Sequence, residues 1–211
     1  MDAYAKCVEA KKCDPPKDDN PFCNIKFKDR GNHPVNCVDY HQATAYCAFI
    51  GSRLPSEREW EYAARGGAEE RLYSWGAEDP TDKRACYAHP GGSCPVASFA
   101  PGAFGLYDVN GDVWEWTSSY FAPYPDEATS GMFRVYRGGS WSRRFPKWLR
   151  NDLRNRYAEN EDSAQLGIRC ARTVEPLECP ADADAKDGKC VRARGTPMDP
   201  EYALAQTEEG G

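Results

Sequence analysis

Ten cysteines are the residues best suited to chemistry in this chain: Cys7, Cys13, Cys23, Cys37, Cys47, Cys86, Cys94, Cys170, Cys179 and Cys190. No Cys-x-x-Cys pair occurs among them, which argues against zinc ribbons, thioredoxin-like exchange and iron–sulfur ligation together. Their even number and the short separations of Cys7 from Cys13, Cys86 from Cys94 and Cys179 from Cys190 suit disulfide closure instead, and disulfides imply an oxidising compartment. A second group is acidic. The run Asp108-Val109-Asn110-Gly111-Asp112-Val113-Trp114-Glu115 places carboxylates on a tight glycine turn, where they repel unless a hard cation such as Ca²⁺ sits between them. The run is not an EF-hand, because the twelfth position counted from Asp108 is Ser119. A third group is basic. Arg137, Arg143, Arg144, Lys147, Arg150, Arg154 and Arg156 face the single acid Asp152, a local charge of about +6. Guanidinium forks suit carboxylate or sulfate ligands; the competing use is internal ion pairing with Glu59, Glu61 and Glu115. Only His33, His41 and His89 are present and no Gly-x-Ser-x-Gly elbow exists, so a histidine-based iron triad and a serine hydrolase both lack their parts.

The elements that must position these groups are short. The chain has 211 residues, 40% of them hydrophobic, enough for one domain with an appendage. Its net charge of −6 opposes nonspecific binding to nucleic acid or anionic membranes, and no apolar run is long enough to span a bilayer. The opening MDAYAKCVEAKK has no apolar signal core, so the expectation is an export signal upstream of this sequence. Apolar spacing predicts helices over 2–12 and 41–51, the second ending at Gly51. Ser56 with Glu59 forms a capping box and Gly66 a terminator, predicting a helix over 57–65. From 73 to 172 the chain is rich in Gly, Pro, Trp and Tyr, with β-like runs only at 113–117 and 133–136. That texture predicts a compact α+β fold held by aromatic packing, turns and cross-links rather than by a regular sheet. Residues 1–173 are expected to form the domain, and 174–211 an acidic tail pinned by a Cys179–Cys190 loop or otherwise disordered.

Five segments in order, HPVNCVDYHQATAYCAFIGSRLPSEREWEYAARGG, YSWG, PVASFAPGAFGLYDVNGDVWEWTSS, VYRGGSWSR and LGIRCAR, resemble the formylglycine-generating enzyme (sulfatase-modifying factor) family over about 33–172. The resemblance implies that family's fold, a C-type-lectin-like α+β variant with little regular secondary structure, stapled by disulfides. A β-hairpin region that normally precedes the first helix is missing, which again suggests a start further upstream. Family enzymes oxidise a cysteine in a Cys-x-Pro-x-Arg segment to formylglycine, using oxygen and copper(I) held by two thiolates. Counting from Gly138-Gly139-Ser140-Trp141 places those thiolate positions on Arg143 and Trp148, neither of which ligates copper(I). The resemblance therefore implies a non-catalytic domain with no copper. The alternative is an enzyme with displaced chemistry or a domain serving a partner oxidase.

The same comparison implies a Cys47–Cys170 disulfide, and it replaces a second family bridge jointly by Ala64 and Leu153. Cys7 with Cys13, Cys23 with Cys37 and Cys86 with Cys94 are then candidate local bridges, the connectivity of the first four being open. One calcium site is implied, with side chains of Asp108 and Glu115 and carbonyls of Gly111 and Val113 as ligands. The family's other site begins at an Asn that here is Cys86, and is expected to be lost. The former catalytic groove, with Trp114, Ser140, Arg143, Arg144 and Trp148, is the candidate binding site for a peptide, protein or anionic glycan outside the cytoplasm, whether periplasmic, secreted or on a lipoprotein.

Overall fold

The computed structural model describes residues 1–124 and 128–173, and the backbone of two short strands beyond them. The chain divides into two compact units, Met1–Arg172 and Thr173–Gly211. In the second, β-strands Ala183–Lys186 and Lys189–Arg192 pair antiparallel. Cys179 and its expected bridge to Cys190 lie outside the described residues.

The first unit begins with α1, Asp2–Glu9, which buries Tyr4 and Cys7. It is shorter than the spacing predicts, because Lys11 turns into the left-handed region at φ 57 and the Cys7–Cys13 disulfide closes the chain back on the helix. Helix α2, Tyr40–Phe49, starts at a capping box in which Asp39 accepts from the Gln42 backbone and the Gln42 side chain answers to Asp39. It buries Ala43 and Cys47, and Gly51 follows at φ 66. Helix α3, Glu57–Ala64, carries the expected Ser56/Glu59 box and stops before Gly66 at φ 74.

The sheet corrects the expectation of an irregular second half. Strands β1, Trp114–Tyr120, and β2, Phe133–Arg137, grow from the two β-like runs. Two further strands join them: β3, Arg154–Ala158, and β4, Leu166–Gly167. The order is β3-β2-β1-β4, antiparallel except for the parallel β1–β4 pair. One face of the sheet packs on α2: Trp114, Trp116, Tyr136 and Leu166 join Ala43, Cys47 and Leu54 in one buried cluster. Each large side chain so buried contributes about 1.5–3 kcal/mol. Trp116 hydrogen-bonds the Val38 carbonyl at 3.2 Å, which satisfies its one polar atom.

Four disulfides staple this unit: Cys7–Cys13, Cys23–Cys37, Cys47–Cys170 and Cys86–Cys94. They include the Cys47–Cys170 bridge that the resemblance implies, and they settle the connectivity of the first four cysteines that the sequence leaves open. No described helix is long and apolar enough to cross a membrane.

Candidate functional site

The site grows from the end of β2. Gly138 and Gly139 follow the strand at φ 102 and 81, and neither tolerates a side chain. A Cβ on Gly138 would lie 2.6 Å from the Val109 carbonyl oxygen, and one on Gly139 2.7 Å from that of Trp148. The dipeptide thus lets the acidic turn and the Trp148 loop both close against the strand end. Ser140 and Ser142 hydroxyls then converge on Gln165 Oε1, at 3.1 and 2.5 Å.

Arg143 comes next. Its guanidinium stands 5.0 Å from the Trp148 ring and 5.8 Å from the Trp114 ring, close enough for cation–π attraction to both. Its Nε is buried without a hydrogen-bond partner, and so is Trp114 Nε1 beside it. A buried donor left unmade costs about 1–3 kcal/mol, so each of these N–H groups favours an acceptor. Trp148 belongs to a single 3₁₀ turn, Pro146–Leu149, and lines a cleft of about 330 Å³ with Lys147, Arg150, Asp152 and Leu153.

The basic run separates into two classes. Arg137 is fully buried and paired with Glu57 and Glu61; Arg154 makes a fork to Glu57 at 2.8 and 2.5 Å. Arg150 pairs with Asp152 at 2.5 Å, and Arg156 packs on Phe121 and Phe133. Arg143, Arg144 and Lys147 have no carboxylate partner among the described residues, and Arg144 and Lys147 are exposed. The structure therefore brings Arg143, Trp148 and Trp114 together, with Arg144 and Lys147 on the outer side. Trp114 and Ser140 are 2% and 0% exposed, so they back the site rather than line it.

The acidic turn is a second locus. Asp108 and Asp112 sit at φ 53 and 55 around Gly111 at φ 94. Burial raises the Asp108 carboxyl above its usual range. Burial also pushes Asp112 up to about 7, with Asp108 and Glu115 adding to the effect. Arg169 forks onto Glu115 at 2.8 and 2.7 Å, and Trp60 Nε1 donates to the same Glu115 Oε2 at 2.6 Å. Glu115 takes the Arg169 guanidinium, while Asp108 and Asp112 have no ion-pair partner among the described residues, which leaves negative charge in excess. Asp108 uses only Oδ2, to accept from Ala97 N at 2.6 Å, and Glu115 Oε1 accepts a single bond. Free lone pairs on hard oxygens, excess charge and a tight turn together fit a calcium ion. Cys86 is disulfide-bonded to Cys94.

Sequence reasoning missed Glu57, Ser142 and Gln165. Glu57 is found by helix periodicity, since it shares the inner face of α3 with Glu61. Gln165 carries no local signal.

A family model described as the sulfatase-modifying factor enzyme 1-like domain matches residues 1–174. The chain belongs to that family. It is 36% identical to the formylglycine-generating enzyme of Mus musculus, over 67% of this chain and 45% of the relative. It is 37% identical to a Bos taurus protein named inactive C-alpha-formylglycine-generating enzyme 2, over 69% of this chain and 52% of the relative. The chain spans about half the length of these curated relatives. Among solved structures, PvdO from Pseudomonas aeruginosa superposes with a TM-score of 0.59 at 28% identity, covering 68% of this chain and 63% of that one. The α+β, disulfide-stapled sulfatase-modifying factor fold is shown by these likenesses and by the sheet and bridges described above.

Proposed function

We propose that this family member is a non-catalytic binding module that takes an acidic peptide segment at the Arg143–Trp148 loop. One observation carries the reading. In the basic run, Arg137, Arg150 and Arg154 each touch a carboxylate and Arg156 packs on Phe121 and Phe133, while the other three cations, Arg143, Arg144 and Lys147, cluster on the loop that also holds the Trp148 cleft. A cationic rim beside an aromatic wall suits carboxylate side chains on an extended peptide. Four disulfides support an oxidising compartment, and the periplasm or the secreted state is the setting proposed for the working protein. Ca²⁺ in the 108–115 turn, held by Asp108, Glu115 and the carbonyls of Gly111 and Val113, neutralises the excess charge there and fixes the turn against Gly138.

Two measurements test the reading. Incubating the protein with copper(I), oxygen and a Cys-x-Pro-x-Arg peptide should leave the peptide mass unchanged; aldehyde formation would establish the enzyme instead. Titration with a glutamate-rich peptide, followed by tryptophan fluorescence, should show saturable binding. Arg143→Ala with Trp148→Ala should weaken it by at least about 10-fold, roughly 1.4 kcal/mol. Unchanged affinity in that variant, or binding of a sulfated glycan alone, would overturn the peptide reading.

The calcium assignment has its own readout. At about 100 times its Kd the ion should add about 2.7 kcal/mol, or roughly 5–10 °C in Tm. The shift should vanish in Asp108→Asn. A Tm indifferent to Ca²⁺ and chelator, or an equal shift in the variant, would remove calcium from the account.

A further inference from the structure

The loop closed by Cys86 and Cys94 contains one more donor, His89. We infer that these three residues form a dithiol-gated site for a thiophilic divalent cation of the zinc class. Their two sulfurs and an imidazole nitrogen lie within 4.8 Å of one another, the one such three-donor group of His, Cys, Asp or Glu among the described residues. A hydrogen bond fixes the tautomer of the ring. His89 Nδ1 lies 2.8 Å from the Gly92 carbonyl oxygen. A carbonyl only accepts, so Nδ1 carries the proton and Nε2 of the neutral ring holds the lone pair. Metal-bound histidines are oriented by this same kind of second bond.

In the disulfide form the sulfurs are bonded to each other and the site is shut. A dithiol reductant opens it. Its thiolate attacks one sulfur, the Cys86–Cys94 bond breaks, and the reductant leaves as a cyclic disulfide while the protein gains two electrons and two protons. A divalent ion then displaces those two protons. Two thiolates and a neutral imidazole leave an uncharged complex with a fourth position for water.

Access favours this bridge. Cys94 and Cys170 are partly exposed, whereas Cys7, Cys13, Cys23, Cys37, Cys47 and Cys86 are buried. Opening Cys47–Cys170 would breach the main core cluster, while the Cys86–Cys94 loop spans only eight residues. The loop is also wired to both loci described above. Its main chain donates from Ala88 to the Arg143 carbonyl at 2.9 Å and from His89 to the Trp141 carbonyl at 2.8 Å. Cys94 N reaches Asp112 Oδ1 at 2.8 Å. The inference does not depend on the peptide-binding reading.

The test uses the full chain titrated with a dithiol, with opened cysteines mapped by alkylation and Co²⁺ added as the spectroscopic probe. The expected result is that Cys86 and Cys94 open before the other bridges of the first unit. One Co²⁺ then binds with sulfur-to-cobalt charge-transfer absorption and is displaced by Zn²⁺. His89→Ala, an exposed position that leaves the fold intact, should weaken binding at least about 10-fold, since even outer-shell losses cost that much. Cys86→Ser with Cys94→Ser should abolish the band. A band that survives the double variant, an unchanged affinity in His89→Ala, or equal binding by the oxidised protein would overturn the site.

Discussion

Arg137 and Arg143 are six residues apart and carry the same charge, yet one is a buried structural ion and the other has no carboxylate partner among the described residues. The difference lies on α3. Glu57 and Glu61 are spaced four apart and share its inner face, so Arg137 finds both, whereas Glu59 points the other way and pairs with Arg53. Partner identity was legible only in outline: arginine-rich spacing announces ion pairs but does not say which glutamate faces in. Replacing Arg137 by Met leaves Glu61 dependent on Arg65 and Glu57 on Arg154, and should cost about 3 kcal/mol in urea denaturation. Arg144→Ala should stay within about 0.5 kcal/mol. The outward pair responds to pH. The hydrogen bond from Arg53 holds the Glu59 carboxyl at about 2, below its ordinary 4.5. Its contribution is therefore full above pH 4.5 and fades as pH falls toward 2. Glu59 is 46% exposed, so that contribution is about 1 kcal/mol or less. Glu59→Gln keeps the cap and removes the charge. Its stability deficit should be measurable at pH 7 and shrink steadily below pH 4.

Elements differ in how much of themselves they print in the sequence. Helix α3 was readable because a capping box is local chemistry, three residues apart. The start of α2 carries the same signal in Asp39 and Gln42. Strand β3 was not readable, because Arg-Asn-Arg-Tyr-Ala lacks apolar alternation; Arg154 and Arg156 instead lay their stems on Phe121. This strand ends the sheet, and its outer edge is closed by its own side chains. Asn155 Oδ1 accepts from the Arg156 N–H and Glu161 Oε2 from the Ala158 N–H, both at 2.9 Å. Open edges recruit foreign strands. Asn155→Ala with Glu161→Ala should therefore produce concentration-dependent association in light scattering while leaving near-ultraviolet circular dichroism unchanged. A variant that stays monomeric at high concentration would show that the caps do not guard the edge.

Across the whole first unit, Cys47–Cys170 is the long-range closure. It joins α2 to the segment following β4 across 123 residues, and in the chain-entropy picture such a loop contributes about 4–5 kcal/mol against about 2 for Cys7–Cys13. Cys47→Ala with Cys170→Ala should lower Tm by about 10–15 °C, and the corresponding pair at Cys7 and Cys13 by less than half of that. A smaller loss at Cys47–Cys170 than at Cys7–Cys13 would contradict the loop-length argument. The bridges were legible from short spacings and family likeness. The unmet donors at Arg143 and Trp114 were not, because they exist only once three distant segments have packed.

The Gly138-Gly139 dipeptide gives the fold a separable frame. Because the two glycines pack on the carbonyl oxygens of Val109 and Trp148 and on the Trp60 and Leu149 side chains, the path of the 140–150 loop is set at its start without the side chains at 143 and 148. Side chains at 143 and 148 can then be exchanged without rerouting the chain, so a socket built around one chemistry can be refitted for another while its walls stay where they are.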